Sequence, residues 1–181
     1  MRARPADVAD AFVAARRAQR EWATWPVARR LKVIRRFHRL LIEHNDVVVD
    51  LGSGDGRLVV TAAKKFGAHG IGIDIDPARI AEGNANAAKA GVTHLVEFRQ
   101  QDALEADLSK ATVVTLYLLS SSNVKLRPRL LSQLKPGARI VSHQFGMGDW
   151  QPDKVDTFTD ANGTSRTLYL WTVGANSPKS E

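Results

Sequence analysis

The stretch Val47-Val48-Val49-Asp50-Leu51-Gly52-Ser53-Gly54-Asp55-Gly56 constrains this chain more than any other. Three consecutive valines form an apolar, β-branched run suited to a strand buried on both faces. The run ends in an acid and breaks into Gly-x-Gly-x-Gly, after which Arg57–Phe66 reads as a helix. Glycines at 52, 54 and 56 permit a tight turn and let the backbone approach a ligand with no Cβ in the way. The alternation continues with predicted strands at residues 70–74, 94–99, 112–118 and 139–145. Helices are predicted from Pro77 to Gly91, with proline at the start and glycine at the end, and over residues 124–134. Two last strands, near 155–159 and 167–173, flank Asn162-Gly163, a pair that tolerates the positive φ of a hairpin turn. Strands alternating with helices predict an α/β fold: a parallel sheet with helices on both faces, closed by an antiparallel hairpin.

The turn also constrains its ligand. The dinucleotide fingerprint is G-x-G-x-x-G, with a pyrophosphate on the helix N-terminus. Here the third glycine comes one residue early, Asp50 ends the strand and Asp55 sits in the turn. Carboxylates repel a pyrophosphate and suit an ammonium or sulfonium. Spacing and charge together point away from NAD and toward S-adenosylmethionine. Asp74 ends the second strand, 18 residues after Gly56. It can accept both hydroxyls of a ribose, or it can cap the helix that starts near Pro77. In Phe98-Arg99-Gln100-Gln101-Asp102-Ala103 the acid can accept from an adenine amino group, or it is a loop residue. All three acids fall at strand carboxyl ends, where open α/β sheets bind ligands.

Composition removes other chemistries. The chain of 181 residues has no cysteine, which excludes a disulfide scaffold, a thiolate metal site and a cysteine nucleophile. Its five histidines are scattered, with no HExxH pair, so no metal is expected. No apolar run approaches the ~20 residues that span a bilayer. The net charge of +7 is concentrated at one end: residues 1–44 hold ten Arg and one Lys against four acids, and residues 45–181 are neutral overall. Helical spacing is visible at Val8, Phe12 and Ala15, and again at Leu31, Ile34, Leu41 and Ile42, with Trp22, Trp25 and Pro26 between. We therefore divide the chain into a basic helical arm, 1–44, and a cofactor-binding domain, 45–181. The arm either covers the pocket with its charges solvated, grips anionic lipid at ~1 kcal/mol per basic residue, or contacts nucleic-acid phosphates. Nucleic acid is the least expected of the three, because no aromatic–basic RNA-reading motif is present. The N-terminus does not read as a secretory signal, and Asp7 and Asp10 argue against a mitochondrial transit peptide. A cytoplasmic location is expected; for the arm, pocket cover ranks first and peripheral contact with anionic membrane second.

On Asp50, Gly52, Gly54, Gly56, Asp74 and Asp102 the chain resembles the class I, seven-strand S-adenosylmethionine-dependent methyltransferases over about residues 45–173. Thr112-Val113-Val114-Thr115-Leu116-Tyr117-Leu118-Leu119 and Val141-Ser142-His143 with Met147-Gly148-Asp149-Trp150 narrow the resemblance. They are similar to bacterial relatives of the mitochondrial protein-lysine methyltransferases that modify the ATP synthase c-subunit and the adenine nucleotide translocase. The resemblance implies a Rossmann-like seven-strand sheet with an antiparallel last strand. It also implies S-adenosylmethionine as cofactor and a protein lysine as acceptor. Asp50 would lie near the amino group of the methionine part, within the glycine loop. Asp74 would take the ribose, and Asp102 with Ala103 the adenine. The acceptor would enter beside the end of the fourth strand. Tyr117 would line a lysine channel there, or it is a core aromatic with a satisfied hydroxyl. His143 would orient the acceptor or take its proton, or it is structural. Trp150 would wall the pocket or only pack its loop. The family usually carries proline where Ser120 stands, and acids around the positions of Gln144 and Gly146. The absence of an Asn/Asp-Pro-Pro-aromatic motif argues against an N6-adenine or glutamine methyltransferase. An RNA or small-molecule methyltransferase, and a non-catalytic cofactor-binding module, stay open as alternatives.

Overall fold

The predicted alternation takes shape, in a computed structural model that describes residues 46–159, 163–174 and 177–178, as one seven-stranded sheet. The helices expected within 1–44, the arm they would form, and Asn162 of the hairpin turn lie outside the described residues. Five strands run parallel: β1 (Val47–Leu51), β2 (His69–Asp74), β3 (Val96–Gln100), β4 (Val113–Leu116) and β5 (Arg139–His143). The hairpin of β6 (Lys154–Thr159) and β7 (Ser165–Thr172) completes the sheet, with β7 antiparallel between β5 and β6. The order is β3-β2-β1-β4-β5-β7-β6. The chain thus winds outward from β1 to β3, then crosses to β4 and winds the other way. The crevice at the carboxyl ends of β1 and β4 is where such sheets take their ligands.

β1 shows why the sheet is a core. Val49 and Leu51 pack on one face with Leu126 and Leu130 of α3 (Ser120–Gln133) and with Trp171. Val48 packs on the other with Val59 and Ala62 of α1 (Arg57–Phe66). α1 in turn packs against α2 (Pro77–Ala90) through Val60, Ala63 and Ala87. Both helices stop at a glycine in the left-handed region, Gly67 and Gly91, which closes the last turn without a Cβ penalty.

Three glycines exist for a ring. Phe98 of β3 lies across Gly56, Gly72 and Gly83. A Cβ on Gly72 or Gly83 would fall 2.6 Å from the Phe98 ring, and one on Gly56 would overlap it outright. The third glycine of the motif is therefore required by Phe98 as well as by its φ of +71°. At the amino edge of the sheet, buried Asp46 accepts from Thr112 Oγ1 at 2.7 Å and from Arg139 Nη2 at 2.7 Å, tying the entries of β1, β4 and β5 together.

Strand starts shift by one or two residues at β2, β3, β4, β6 and β7, and three further boundary differences bear on the site. β4 stops at Leu116, two residues early, because the following segment turns to lay Leu118 against the glycine loop. β5 stops at His143 because Gln144 adopts φ 68°, which no strand continues through. α3 begins at Ser120, four residues before the predicted start, with Leu119 as an N-cap that makes no side-chain capping bond.

Candidate functional site

The glycine loop is pinned to the end of β2. Gly52 and Ser53 N–H groups donate to Ile73 O at 2.8 and 2.9 Å, and Gly54 N–H donates to Asp74 Oδ2 at 2.8 Å. Gly52 and Gly54 hold φ of 76° and 53°. A Cβ on Gly52 would meet Leu118 Cδ2 at 2.8 Å, so the loop sits directly against the segment that follows β4. Asp55 is not held in reserve for a ligand: its carboxylate is paired with the Arg57 guanidinium, and its carbonyl accepts from Asn86 Nδ2 at 2.9 Å.

Asp50 is the carboxylate the loop encloses. It is buried at the end of β1, beside Gly72 on β2 and Thr115 on β4, and accepts from Thr115 Oγ1 at 2.6 Å. Burial pushes its pKa up to about 7; the Thr115 hydrogen bond opposes this, and the nearby charges of Asp74 and Asp55 add to it. A buried acid that resists ionising until a cation arrives suits an ammonium-bearing ligand. Asp74 holds the loop through Oδ2 and accepts from Asp76 N at 3.0 Å through Oδ1. The cap of α2 is Asp76, whose Oδ1 takes the Ala78 N–H, so the capping role considered for Asp74 belongs to its neighbour. Asp102 caps the short 3₁₀ turn Ala103–Glu105 by accepting from Leu104 N at 2.9 Å, and a carboxylate so used keeps further acceptor sites. Ile75 and Leu104 directly follow these stretches and are 57% and 39% exposed. They offer apolar surface for a planar base, and sequence reading passed over them. Their signal was position: an apolar residue one place after Asp74 and two places after Asp102.

Tyr117 and His143 are brought together beyond β4 and β5, with ring centroids 4.5 Å apart. Phe145, a residue the sequence reading did not single out, joins them 6.2 Å from Tyr117. Tyr117 and Phe145 are half-buried and His143 is buried. Burial, with the Arg166 charge, lowers the His143 pKa to about 3. The imidazole is therefore neutral at physiological pH and too weak a base to collect a proton there. Trp150 turns inward: its carbonyl accepts from Trp171 Nε1 at 3.0 Å and it is buried, so it packs the loop rather than lining a pocket. Asp149 is exposed and paired with Arg127. Among the described residues no cluster of His, Asp and Glu could hold a metal, and no helix is long and apolar enough to cross a membrane.

Comparison with known proteins fits this geometry. Residues 50–154 match the family described as ANTKMT methyltransferase domain. Residues 1–67 match the aldehyde dehydrogenase family. The two matches share residues 50–67, where the described strand end, glycine loop and α1 are built into the methyltransferase sheet. A protein-lysine N-methyltransferase of Saccharolobus islandicus (strain REY15A) is 42% identical over 79% of this chain and 89% of its own length. An adenine nucleotide translocase lysine N-methyltransferase of Mus musculus is 32% identical over 72% of this chain; the match spans 55% of that protein, little more than half. Among solved structures, an RNA methyltransferase from Salinibacter ruber in complex with S-adenosyl-L-homocysteine superposes with a TM-score of 0.75 at 51% identity, covering 82% of this chain and 94% of that one. The chain belongs to the ANTKMT methyltransferase domain family and is an S-adenosylmethionine-dependent methyltransferase.

Proposed function

We propose that the chain transfers methyl groups to the side-chain amine of a protein lysine. The observation that carries this reading is the 42% identity, over most of both chains, to a protein-lysine N-methyltransferase. The acceptor-side geometry supports it: half-buried rings beyond β4 and β5 suit the aliphatic stem of lysine and withdraw its amine from water. Burial lowers an amine's pKa and frees the lone pair that attacks.

When bound, the cofactor supplies a methyl group activated on a sulfonium. The residues of the chain bind and align. Asp50, once ionised, pairs with the ammonium of the methionine part, inside the loop of Gly52, Gly54 and Gly56. Asp74 accepts the ribose hydroxyls, and Asp102 and Ala103 meet the base, flanked by Ile75 and Leu104. Tyr117 offers its hydroxyl to the acceptor amine, and the neutral His143 ring backs Tyr117. No base is needed on the enzyme: the amine proton leaves to solvent before attack, and in-line alignment does the rest. The reading includes a cytoplasmic location, division at residue 44, and peripheral contact of the basic arm with anionic membrane. The +7 charge of residues 1–44 supports the division and the membrane contact.

A second reading, methylation of RNA, is favoured by the Salinibacter ruber structure named as an RNA methyltransferase. One experiment separates the two. S-adenosylmethionine with a labelled methyl group is added with the enzyme to host lysate split into membrane, soluble protein and RNA, with Asp74→Ala as control. Protease-sensitive label mapping to lysine is expected. Label confined to RNA overturns the lysine reading in favour of the second.

A further inference from the structure

Among the described residues Gln144 is the one non-glycine with positive φ, at 68°. Such backbone is unfavourable for an L-residue and persists only where its surroundings hold it. Here two bonds to Thr167 do so. Gln144 N–H donates to Thr167 O at 2.8 Å, and Thr167 N–H donates to Gln144 Oε1 at 3.2 Å. In the second bond the Gln144 side-chain oxygen takes the Thr167 N–H, an acceptor that the residue itself supplies.

The kink ends β5 and delivers Phe145 beside Tyr117. A second clamp acts from the opposite side. Asn123, in the first turn of α3 and fully buried, donates from Nδ2 to Phe145 O and Gly146 O at 3.2 Å and to Ser142 Oγ at 3.1 Å. Thr167 therefore holds Gln144 and Asn123 holds the carbonyls of Phe145 and Gly146, while the Phe145 side chain stays half-buried at the carboxyl edge. A strained residue and a buried amide converge on one partly exposed ring. A ring needed only for packing would not require them.

We infer that Phe145 is a specificity-determining wall of the methyl-acceptor site, with Gln144 and Asn123 as its positioning residues. The ring excludes water beside the nucleophile and packs against the group that carries it. The inference rests on methyl transfer and not on the acceptor's class, so it can fail separately from the lysine reading.

The test uses the full chain, labelled S-adenosylmethionine, and clarified host lysate at graded dilution as the acceptor probe. Affinity for S-adenosylhomocysteine is measured in parallel. Phe145→Ala is expected to raise the apparent KM for the lysate acceptor about tenfold while cofactor affinity stays within about twofold. Gln144→Ala and Asn123→Ala are expected to move the same parameter in the same direction. Gln144→Glu keeps the acceptor oxygen that Thr167 requires and should retain wild-type KM. If Phe145→Ala does not fold, Phe145→Leu, which removes the ring at similar bulk, is read the same way. The inference is overturned if a folded Phe145 variant leaves acceptor KM and kcat unchanged, or weakens cofactor and acceptor equally. Lack of wild-type turnover on any dilution also overturns it, since no acceptor would then meet the wall. RNA label with a Phe145-dependent KM would sink the lysine reading and leave this one standing.

Discussion

Asp50 and His143 are both buried ionisable groups near the carboxyl edge of the sheet, and burial moves them in opposite directions. Asp50 titrates near 7 in the fold and at the ordinary carboxylate value when unfolded. Its contribution to stability is complete below the unfolded value and is lost as pH rises through about 7. His143 is pushed down to about 3, so its contribution is complete above its unfolded value and is lost as pH falls toward 3. Over the shared window, roughly pH 4 to 6.5, the two slopes oppose each other. Thermal unfolding of the ligand-free protein should vary little with pH there. His143→Gln should expose the Asp50 slope, with stability falling as pH rises; Asp50→Asn should expose the reverse. Parallel pH profiles for wild type and both variants would refute the opposition. The same carboxyl governs cofactor affinity. Binding of S-adenosylhomocysteine, which carries the ammonium, should strengthen about tenfold per unit up to pH ~7 and then level. Thr115→Val removes the hydrogen bond that restrains the Asp50 pKa, so the levelling point should move to higher pH. Calorimetric titration across that range reads both.

At the scale of elements, the Phe98 slot couples β3, α2 and the glycine loop. Gly56→Ala faces two costs: a left-handed φ, worth ~1–2 kcal/mol, and overlap with the Phe98 ring. Phe98→Ala removes the second cost and leaves the first, at the expense of its own cavity. The double variant should thus be markedly less unstable than the sum of the single ones, a coupling of about 1–3 kcal/mol by denaturant unfolding. Strict additivity would mean the ring is not what the glycine accommodates. This slot also marks the limit of what sequence could show. The order of strands and helices, the loop, and the three acids at strand ends were legible because each is a local pattern. That Gly56, Gly72 and Gly83 share one partner was not, because Phe98 reaches them only through the β2–β3 pairing of Gly72 with Phe98. The end of β5 was hidden for the same reason: residues 144 and 145 continue the strand's composition, and only the fold shows Gln144 at positive φ with its side-chain oxygen accepting from Thr167 N–H of β7. Asp74 is legible as a strand-end acid, yet its grip on Gly54 N–H depends on the fold. Asp74→Asn keeps one oxygen for that grip and loses the carboxylate. Its cofactor affinity should fall by about 1–3 kcal/mol with little loss of stability, whereas Asp74→Ala should lose both.

The whole molecule divides its labour across the point where strand order reverses. The carboxyl ends of β1, β2 and β3 lead to the acids assigned to the cofactor, while those of β4 and β5 lead to the rings assigned to the acceptor. The two halves meet where Leu118 lies on Gly52. Every residue named in this site lies beyond position 46, while the net charge lies before it, in residues 1–44. That separation makes the role of the basic segment testable without disturbing the site. Replacing Arg29, Arg30, Arg35 and Arg36 by Gln removes four charges from the stretch where they alternate with apolar residues. At ~1 kcal/mol per charge near an anionic surface, partition onto phosphatidylserine-containing vesicles should fall by about two to three orders of magnitude. For wild type it should also collapse as salt shortens the Debye length from about 10 Å toward 3 Å. Cofactor affinity should be the same in both proteins. If the variant instead partitions onto vesicles as wild type does and loses S-adenosylhomocysteine affinity, the segment covers the pocket and its charges are only solvated. Lipid contact predicts a change in partition alone and pocket cover a change in cofactor affinity alone, so one pair of titrations decides between them.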